Sequence, residues 1–566
     1  MDSSTMVNIG EERFDRVIGQ DKFYIDKTDF IREWWETGST VTLIARPRRF
    51  GKTLNMSMLE CFFSNRYAKR GDLFEGLSIW KEEKYRQMQG TFPVIFLTFA
   101  NVKASKYEDM EYSITKVISD LYEQNRYLLD KDVLSDNERE YYNSIKPGMD
   151  RKLSADAIHS IARFMQRYHE KDVIIILDEY DTPMHEAWIN GYWDRAVEFF
   201  RQFFNSTFKS NPYLDRGMIT GITRISKESI FSDLNNLNII TTTSDEYATA
   251  FGFTEREVFQ ALDDVGLGTE KQEVKRWYDG FTFGTHTDIY NPWSIASFIA
   301  KKGKYDAYWA NTSANGLVNS LIRTGNSDLK QTMETLLQGK SFVTELDEQI
   351  VYDQLDDDDN AVWSLLLAAG YLKTLNLEYV GVRKTKMYTL AVTNLETLGM
   401  FEAMVKGWFK GSVRIVYNEF IKAMLSDNVR MMNVFMNKVA LNTFSSFDSG
   451  NKPSEETEPG RFYHGFVLGI VVNLADTYRI RSNRESGYGR YDVMLIPLDR
   501  SGKAFIFEFK VLNPYEDERT LEETLASARA QIEEKHYEAE LISEGFAPGQ
   551  IRKYGFAFQG KTCLIG

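Results

Sequence analysis

The sequence predicts an α/β protein with two chemically distinct centres, and three stretches carry that prediction. The first is Ala45-Arg46-Pro47-Arg48-Arg49-Phe50-Gly51-Lys52-Thr53, which follows the apolar run Val41 to Ile44 and leads into helical spacing through Met56, Leu59 and Phe63. The second is the run of β-branched residues and leucine from Val173 to Leu177, which ends in Asp178-Glu179. The third is a pair of extended runs, 489–497 and 503–510, that flank the turn Asp499-Arg500-Ser501-Gly502 and carry Asp492, Glu508 and Lys510.

Strand, loop with Gly-Lys-Thr, then helix is the setting of a phosphate-binding loop (P-loop), in which successive backbone N–H groups and a helix N-terminus cradle anions. Lys52 is expected to reach the β- and γ-phosphates of ATP, and the Thr53 hydroxyl to hold Mg²⁺. The first glycine of G-x-x-x-x-G-K-[ST] is replaced by Arg46. The loop's own reading, residues 46 to 53 around a nucleotide, therefore competes with a plain strand-to-helix turn that has a cationic rim.

The run Lys171 to Asp181 describes a parallel strand buried on both faces, with acids at its C-terminal edge, where open α/β sheets bind ligands. Asp178 is expected to hold Mg²⁺ through water and Glu179 to orient and deprotonate the attacking water. A further strand runs from Arg216 to Ser226. Thr223 or Arg224 at its end would sense the γ-phosphate, or serve only as turn residues. Between the Gly-Lys-Thr loop and the Lys171 to Asp181 run, Phe92 to Phe99 is a compact apolar run with Pro93 near its start and reads as a buried strand. Lys106 to Arg167 reads as helical with a polar break near Asp136 to Met149. Upstream, Phe23 to Ile31 passes from an extended piece into a helix with Asp26 or Thr28 as N-cap.

The motif set RPRRFGKT, ILDEYDTP, GITRISKESIF and WYDGFTFG with IYNPWS resembles the AAA-ATPase-like family of P-loop proteins over roughly residues 5 to 300. The resemblance implies an ASCE-type P-loop ATPase core with an extra strand between its motifs, and in that family Arg46 in place of glycine is expected. Trp277-Tyr278-Asp279-Gly280 and Asn291-Pro292-Trp293 would belong to the lid or its junction, with their aromatics serving packing.

From Tyr305 to about Gly450 the pattern is mainly helical. Val362 to Leu372 reads as a buried helix capped at Gly370, and with a strand at 388–393 it suggests a winged-helix-like lid. The acidic run Asp356 to Asp359 argues against nucleic acid on that face. Ser445 to Gly460 is polar and rich in Gly, Pro and Glu, which marks a linker or surface loop. The expected domains are 1–285 (P-loop ATPase), 286–400 (lid) and 401–566 (the second α/β domain).

In that last domain, Phe462 to Leu474 reads as an apolar helix and the third stretch as a β-hairpin. Folding about Arg500–Ser501 brings Asp492 opposite Glu508 or Phe509. Period-two alternation sets Glu508 and Lys510 on one face and Phe507 and Phe509 on the other. Two converging carboxylates suit Mg²⁺ or Mn²⁺, and Lys510 would position or deprotonate a water attacking a phosphodiester. A structural salt bridge is the alternative.

The arrangement resembles the PD-(D/E)XK nuclease superfamily over roughly 400 to 566, which implies a restriction-endonuclease-like fold. On that resemblance Asp492 and Glu508 are metal ligands and Lys510 completes the E-x-K pair. The helix Ala526 to Leu541 would bring Gln531 or Tyr537 near the phosphate, and Glu458 is the upstream acid nearest to the expected place. His464 reads as a buried or capping residue. The arginine–tyrosine stretch from Tyr478 to Arg490 suits phosphate contacts and base stacking, or an exposed strand edge protected by charge.

Composition sets limits on these readings. The net charge of -14 argues against a general nucleic-acid coat and leaves room for a local basic groove. Two cysteines exclude a disulfide framework or a cysteine zinc cluster. No apolar run approaches the length of a membrane span, and no signal-peptide pattern opens the sequence, so a reducing cytoplasmic setting and no membrane partner are expected. The function these features predict is an ATP-hydrolysing P-loop protein with an appended, ATP-gated, metal-dependent nuclease acting on DNA or RNA, compatible with homo-oligomerisation. The alternative is a nucleotide-switched interaction protein whose last domain binds without cutting.

Overall fold

Five parallel strands form the sheet on which the first centre is built: β1 (Val41–Ala45), β2 (Val94–Thr98), β3 (Val173–Asp178), β4 (Leu214–Gly221) and β5 (Leu237–Ile240). The computed structural model describes residues 7, 9–20, 22–130, 133–209, 211–224, 230–231, 234–309, 316–346, 355, 358–408, 412–447, 466–470, 472–486, 489–512, 518–559 and 562–566. The strand order is β2-β3-β4-β1-β5. Strand β4 thus separates the loop-bearing β1 from the acid-bearing β3, pairing Val41 with Gly217 on one side and Ile175 with Gly217 on the other. Strands β1 and β3 are buried throughout, as parallel strands covered on both faces require. Helix α1 (Lys52–Phe63) puts Met56, Met58 and Leu59 into one core with Ile44, Val94, Ile174, Met218 and Ile240, one residue from each strand.

The helical stretch after β2 is made of α2 (Tyr107–Gln124), α3 (Asp136–Ser144) and α4 (Arg151–His169). The expected polar break contains a helix of its own, α3, opened by a capping box in which Ser135 and Glu138 satisfy each other's backbone N–H groups. Helices α5 (Thr182–Ile189) and α6 (Trp193–Phe208) follow β3. Phe200 and Phe204 of α6 pack against Phe99 and Tyr180 at the ends of β2 and β3. The helix expected after Phe23 runs over Asp29–Thr37, behind a shorter one at Phe14–Gly19. Asp26 accepts from the Thr28 backbone at 2.9 Å and braces that start.

A small antiparallel sheet of order β6-β8-β7 (Phe253–Thr254, His286–Tyr290, Phe281–Phe283) follows the main one. The middle region contributes β9 (Phe342–Thr344), helix α7 (Asp359–Ala368), and the hairpin β10 (Leu372–Val380) with β11 (Thr385–Val392), joined in the order β10-β11-β9. Helix α7 stops at Ala368, two residues before Gly370, whose φ is 87°. Compactness divides the chain into two units, Met1–Ser313 with Val343–Thr397, and Ala314–Phe342 with Leu398–Gly566. The expected 286–400 segment is therefore shared between the units.

The second unit is built on a five-stranded sheet, β12 (Tyr478–Ser486), β13 (Gly489–Pro497), β14 (Ala504–Val511), β15 (Ile551–Gln559) and β16 (Thr562–Ile565), in that spatial order. Only β14 and β15 pair in parallel, with Glu508 beside Gly555 and Lys510 beside Ala557. Helix α8 (Val429–Phe447) lines the free edge of β16. The carboxamides of Asn433 and Asn437 exchange hydrogen bonds of 2.7 to 2.9 Å with the backbone of Ile565 and Cys563, which stands in for a sixth strand and blunts the edge. Helix α9 (Leu521–Glu534) covers β14 and β15. Residues 448–465, which include most of the expected polar loop as well as Glu458 and His464, lie outside the described residues. No described helix is long and apolar enough to cross a membrane.

Candidate functional site

The loop between β1 and α1 turns through left-handed backbone at Arg49 (φ 64°) and Gly51 (φ 77°), so that α1 begins at Lys52 with its first N–H groups lacking intrahelical acceptors. The Lys52 side chain is buried. Its ammonium donates to the carbonyls of Arg46 (3.1 Å) and Pro47 (3.0 Å) and stands 3.7 Å from Glu179. Thr53 donates its hydroxyl to Asp178 at 2.8 Å, and Thr220 on β4 donates to the other oxygen of the same carboxylate. The two motifs, 125 residues apart, thus meet in one network. Burial first, and then the neighbouring Glu179 charge, push the Asp178 carboxyl up to about 6. Hydroxyl and carboxylate oxygens facing each other, with an anion held against its preference, form a donor set that fits a hard divalent cation.

Glu179 sits at φ 55°, a left-handed backbone that a non-glycine residue adopts at a cost of ~1–3 kcal/mol. The following residues fasten that turn to the end of β4. Tyr180 donates its hydroxyl to the Thr223 carbonyl at 2.8 Å. One oxygen of Asp181 accepts from the backbone N–H groups of Ile222 and Thr223 and from the Thr223 hydroxyl, at 2.9, 2.9 and 3.0 Å. Gly221 permits the crossing, because a Cβ there would lie 2.6 Å from the Tyr180 ring and 2.7 Å from Asp181. Thr223 is therefore buried and held by Asp181, while Arg224 borders a small cavity with Thr241, Thr243 and Ser364.

The loop's side chains are spent on anchoring. Arg46 is fully buried and donates to the carbonyls of Ala45 (3.2 Å), Thr241 and Glu246 (3.1 Å), with its guanidinium 4.4 Å from the Phe283 ring. Burial pushes that guanidinium down to about 9. Phe50 is clamped edge-on between Phe281 and Phe283. The Arg48 carbonyl accepts from Asn291 (3.3 Å) and from the Trp309 indole (3.1 Å), and Arg49 lies 4.1 Å over Trp293. Pro47 packs where a Cβ on Gly370 would come within 3.0 Å. The DGFTFG and NPW motifs thus form a collar around the loop.

In the second unit, Val493 pairs with Phe507, so Asp492 lies one position beyond, toward Glu508; its side chain lies outside the described residues. Glu508 is buried and accepts from Gln531 of α9, which also donates to the Tyr537 hydroxyl at 3.0 Å. Lys510 donates to Ser527 of the same helix at 2.9 Å. Ser527 and Gln531 are one helical turn apart, so a single face of α9 receives both strand residues. Gly555 admits the helix, since a Cβ there would stand 2.9 Å from Leu525. The opposite strand face is aromatic: Phe509 stacks on Phe556 with centroids 4.6 Å apart.

Four participants were not singled out from the sequence: Thr220, Tyr180, Asp181 and Ser527. Tyr180 and Asp181 lie inside the quoted DEYD motif, one and two residues past Glu179, and Thr220 immediately precedes the quoted GITR motif. In the arginine–tyrosine stretch, Arg479 and Arg481 are bound to Glu540 and Glu544, while 483–492 are without described side chains.

Comparison with known proteins bears on both centres. Residues 8–231 match the family model described as "Predicted AAA-ATPase", and residues 458–566 match that of the PD-(D/E)XK nuclease superfamily. The chain carries an AAA-ATPase-like domain followed by a PD-(D/E)XK nuclease superfamily domain. A protein of Azotobacter chroococcum mcd 1, described as an uncharacterized protein in the vnfD 5' region, is similar along most of the length, 24% identical over 520 residues that cover 89% of each chain.

Proposed function

We propose that this chain binds and hydrolyses ATP with Mg²⁺ at the first centre and cleaves nucleic-acid phosphodiesters with Mg²⁺ or Mn²⁺ at the second. The observation that carries the reading is the Thr53–Asp178 hydrogen bond beside the Lys52–Glu179 pair, which supports it by gathering an ammonium, a hydroxyl and two carboxylates at the C-terminal edge of the sheet. In this account the backbone of residues 46–53 cradles the phosphates, Lys52 turns from its carbonyl partners to the β- and γ-phosphates, and Thr53 and Asp178 hold the ion. Glu179 orients the water and takes its proton. Thr223 and Arg224 register the γ-phosphate.

In the second unit, Asp492 and Glu508 would hold the ion, which when bound supplies charge neutralisation at the scissile phosphate. Lys510, steadied by Ser527, positions the attacking water, and Gln531 orients Glu508. Nucleotide state gates cutting; the fusion of the two domains in one chain motivates this part. The winged-helix-like reading of α7 and its hairpin belongs to the same proposal.

The test is ATP hydrolysis by wild type and Glu179→Gln with Mg²⁺. Turnover lowered at least 100-fold in the variant, with nucleotide binding kept, supports the assignment. Equal turnover removes Glu179 from the chemistry.

A further inference from the structure

The distal half of the β10–β11 hairpin has no packing role within its own unit. The strands pair from Leu372 with Val392 to Val380 with Thr385, yet every residue from Leu375 to Lys384 is exposed. Both faces of the ribbon stand in solvent. Its composition is nevertheless apolar: Leu375, Leu377, Tyr379 and Val380 are exposed large hydrophobic residues, and Val382 at the tip is fully exposed. The turn is shaped by Gly381 (φ 70°) and Lys384 (φ 52°), and Lys384 N–H donates to the Gly381 carbonyl at 3.2 Å.

The tip is also basic. Arg383 and Lys384 follow Val382 in the turn and Lys386 pairs across the ribbon with Tyr379, while the hairpin's one acid, Glu378, pairs with Met387 one step further down and accepts from Asn376 at 2.9 Å. No described carboxylate forms an ion pair with Arg383 or Lys384. This cationic tip belongs to a chain of net charge -14. The preceding helix α7 is buried over Ala361 to Leu367, so the ribbon and not the helix offers a surface.

We propose that this hairpin tip is a nucleic-acid contact, with Arg383, Lys384 and Lys386 on phosphates and Val382 and Tyr379 against sugars or bases. The choice of nucleic acid rests on the reading of the second unit as acting on that polymer. Charge selects this occupant over two others. A second copy of the same tip would set three cations against three cations. A lipid surface deep enough to take Leu377 and Tyr379 would also draw in the Glu378 carboxylate between them, at a cost a groove edge does not impose. Phosphates with apolar contact from an inserted side chain match both features of the tip.

The test uses the full chain in EDTA, so that binding is read without cutting. Anisotropy of labelled duplex DNA, single-stranded DNA and RNA is followed across a salt series for wild type, the triple variant Arg383→Gln/Lys384→Gln/Lys386→Gln, and Val382→Ser. Loss of three phosphate contacts is expected to weaken binding at least tenfold and to lower the slope of log affinity against log salt by roughly 2–3. Val382→Ser is expected to weaken binding with the slope kept, and ATP turnover without nucleic acid is expected to stay at the wild-type level in both variants. Unchanged affinity and slope in the triple variant overturn the proposal. So does tip-dependent capture on phosphatidylserine vesicles, or tip-dependent dimerisation in sedimentation, without tip-dependent nucleic-acid binding. Tip-dependent binding by a protein that cuts nothing when Mg²⁺ is restored removes the nuclease reading and leaves this contact standing. Cutting by a protein whose binding ignores the tip does the reverse.

Discussion

Arg46 occupies the place where a phosphate-binding loop ordinarily starts with glycine, and restoring that glycine is expected to damage the protein. The Arg46 guanidinium holds three carbonyls, those of Ala45, Thr241 and Glu246, and stacks on Phe283. Hydrogen bonds from a charged donor contribute about 1.5–3 kcal/mol each, and the stacking about 1–2 kcal/mol. Against this stands the cost of burying a guanidinium with no carboxylate partner, several kcal/mol by general experience. The depression of its pKa to about 9 reflects the same cost. The balance is a net loss of roughly 3–5 kcal/mol in Arg46→Gly, because three buried carbonyls and a cavity remain. Thermal unfolding followed by tryptophan fluorescence should show the first transition lowered by roughly 6–10 °C. Nucleotide affinity should fall with it, since the loop loses its tie to residues 241–246. Arg46→Lys should fall between, as one ammonium cannot reach all three acceptors in the fork geometry of arginine. An Arg46→Gly protein as stable as wild type, with full nucleotide affinity, would refute this anchoring role of Arg46.

Asp178 gives a pH prediction. Its carboxyl, pushed up to about 6 by burial and by Glu179, must release its proton to hold a cation. Mg²⁺-dependent nucleotide binding should therefore weaken below pH 6 by up to about tenfold per pH unit, which calorimetry at pH 5.5 and 7.5 would read. At the turn after β3, Asp181→Ala strips the acceptor from Ile222 and Thr223 and should lower ATP turnover about 10–100-fold with less change in nucleotide affinity; equal losses in both would mean a collapsed loop. A third acid titrates apart from the site. Burial, and then Asp288, raise the Asp279 carboxyl to about 7, against the pull of Lys275. The folded state keeps a proton that the unfolded chain has released, so this group's contribution to stability falls as pH rises from about 4 to 7. Asp279→Asn should be the more stable protein at pH 8 and lose that advantage at pH 5, by thermal melts; an advantage independent of pH would refute the shift.

Much of the first centre is legible in sequence because its chemistry is local. Gly51-Lys52-Thr53 and Asp178-Glu179 each sit at the end of an apolar strand, and strand ends are where a parallel sheet gathers ligands. The partners of Arg46 are not legible, since Thr241 and Glu246 lie 195 and 200 residues away and no spacing rule reaches them. Helix α3 was readable in principle: Ser135 with Glu138 is a capping box, but the polar composition of the stretch conceals it. The face of β14 follows from alternation, as Glu508 and Lys510 show. Ser527 and Gln531 look in sequence like parts of a charged, solvated helix, and only tertiary packing turns them toward the strand. The β10 ribbon misleads in the opposite sense. Leu375, Leu377 and Tyr379 alternate as a half-buried strand would, whereas the hairpin runs out past the core that would have covered them.

Nucleic-acid cleavage reports on both proposed centres and on their coupling in a single assay. Labelled single- and double-stranded DNA and RNA would be incubated with Mg²⁺ or Mn²⁺, with and without ATP, using wild type, Lys510→Ala and Lys52→Ala. Cutting by wild type, loss of cutting in Lys510→Ala with ATP turnover intact, and loss of the ATP response in Lys52→Ala are expected. Absence of cutting under every condition, with ATP still hydrolysed, would contradict the nuclease reading and leave a nucleotide-switched binding protein in its place.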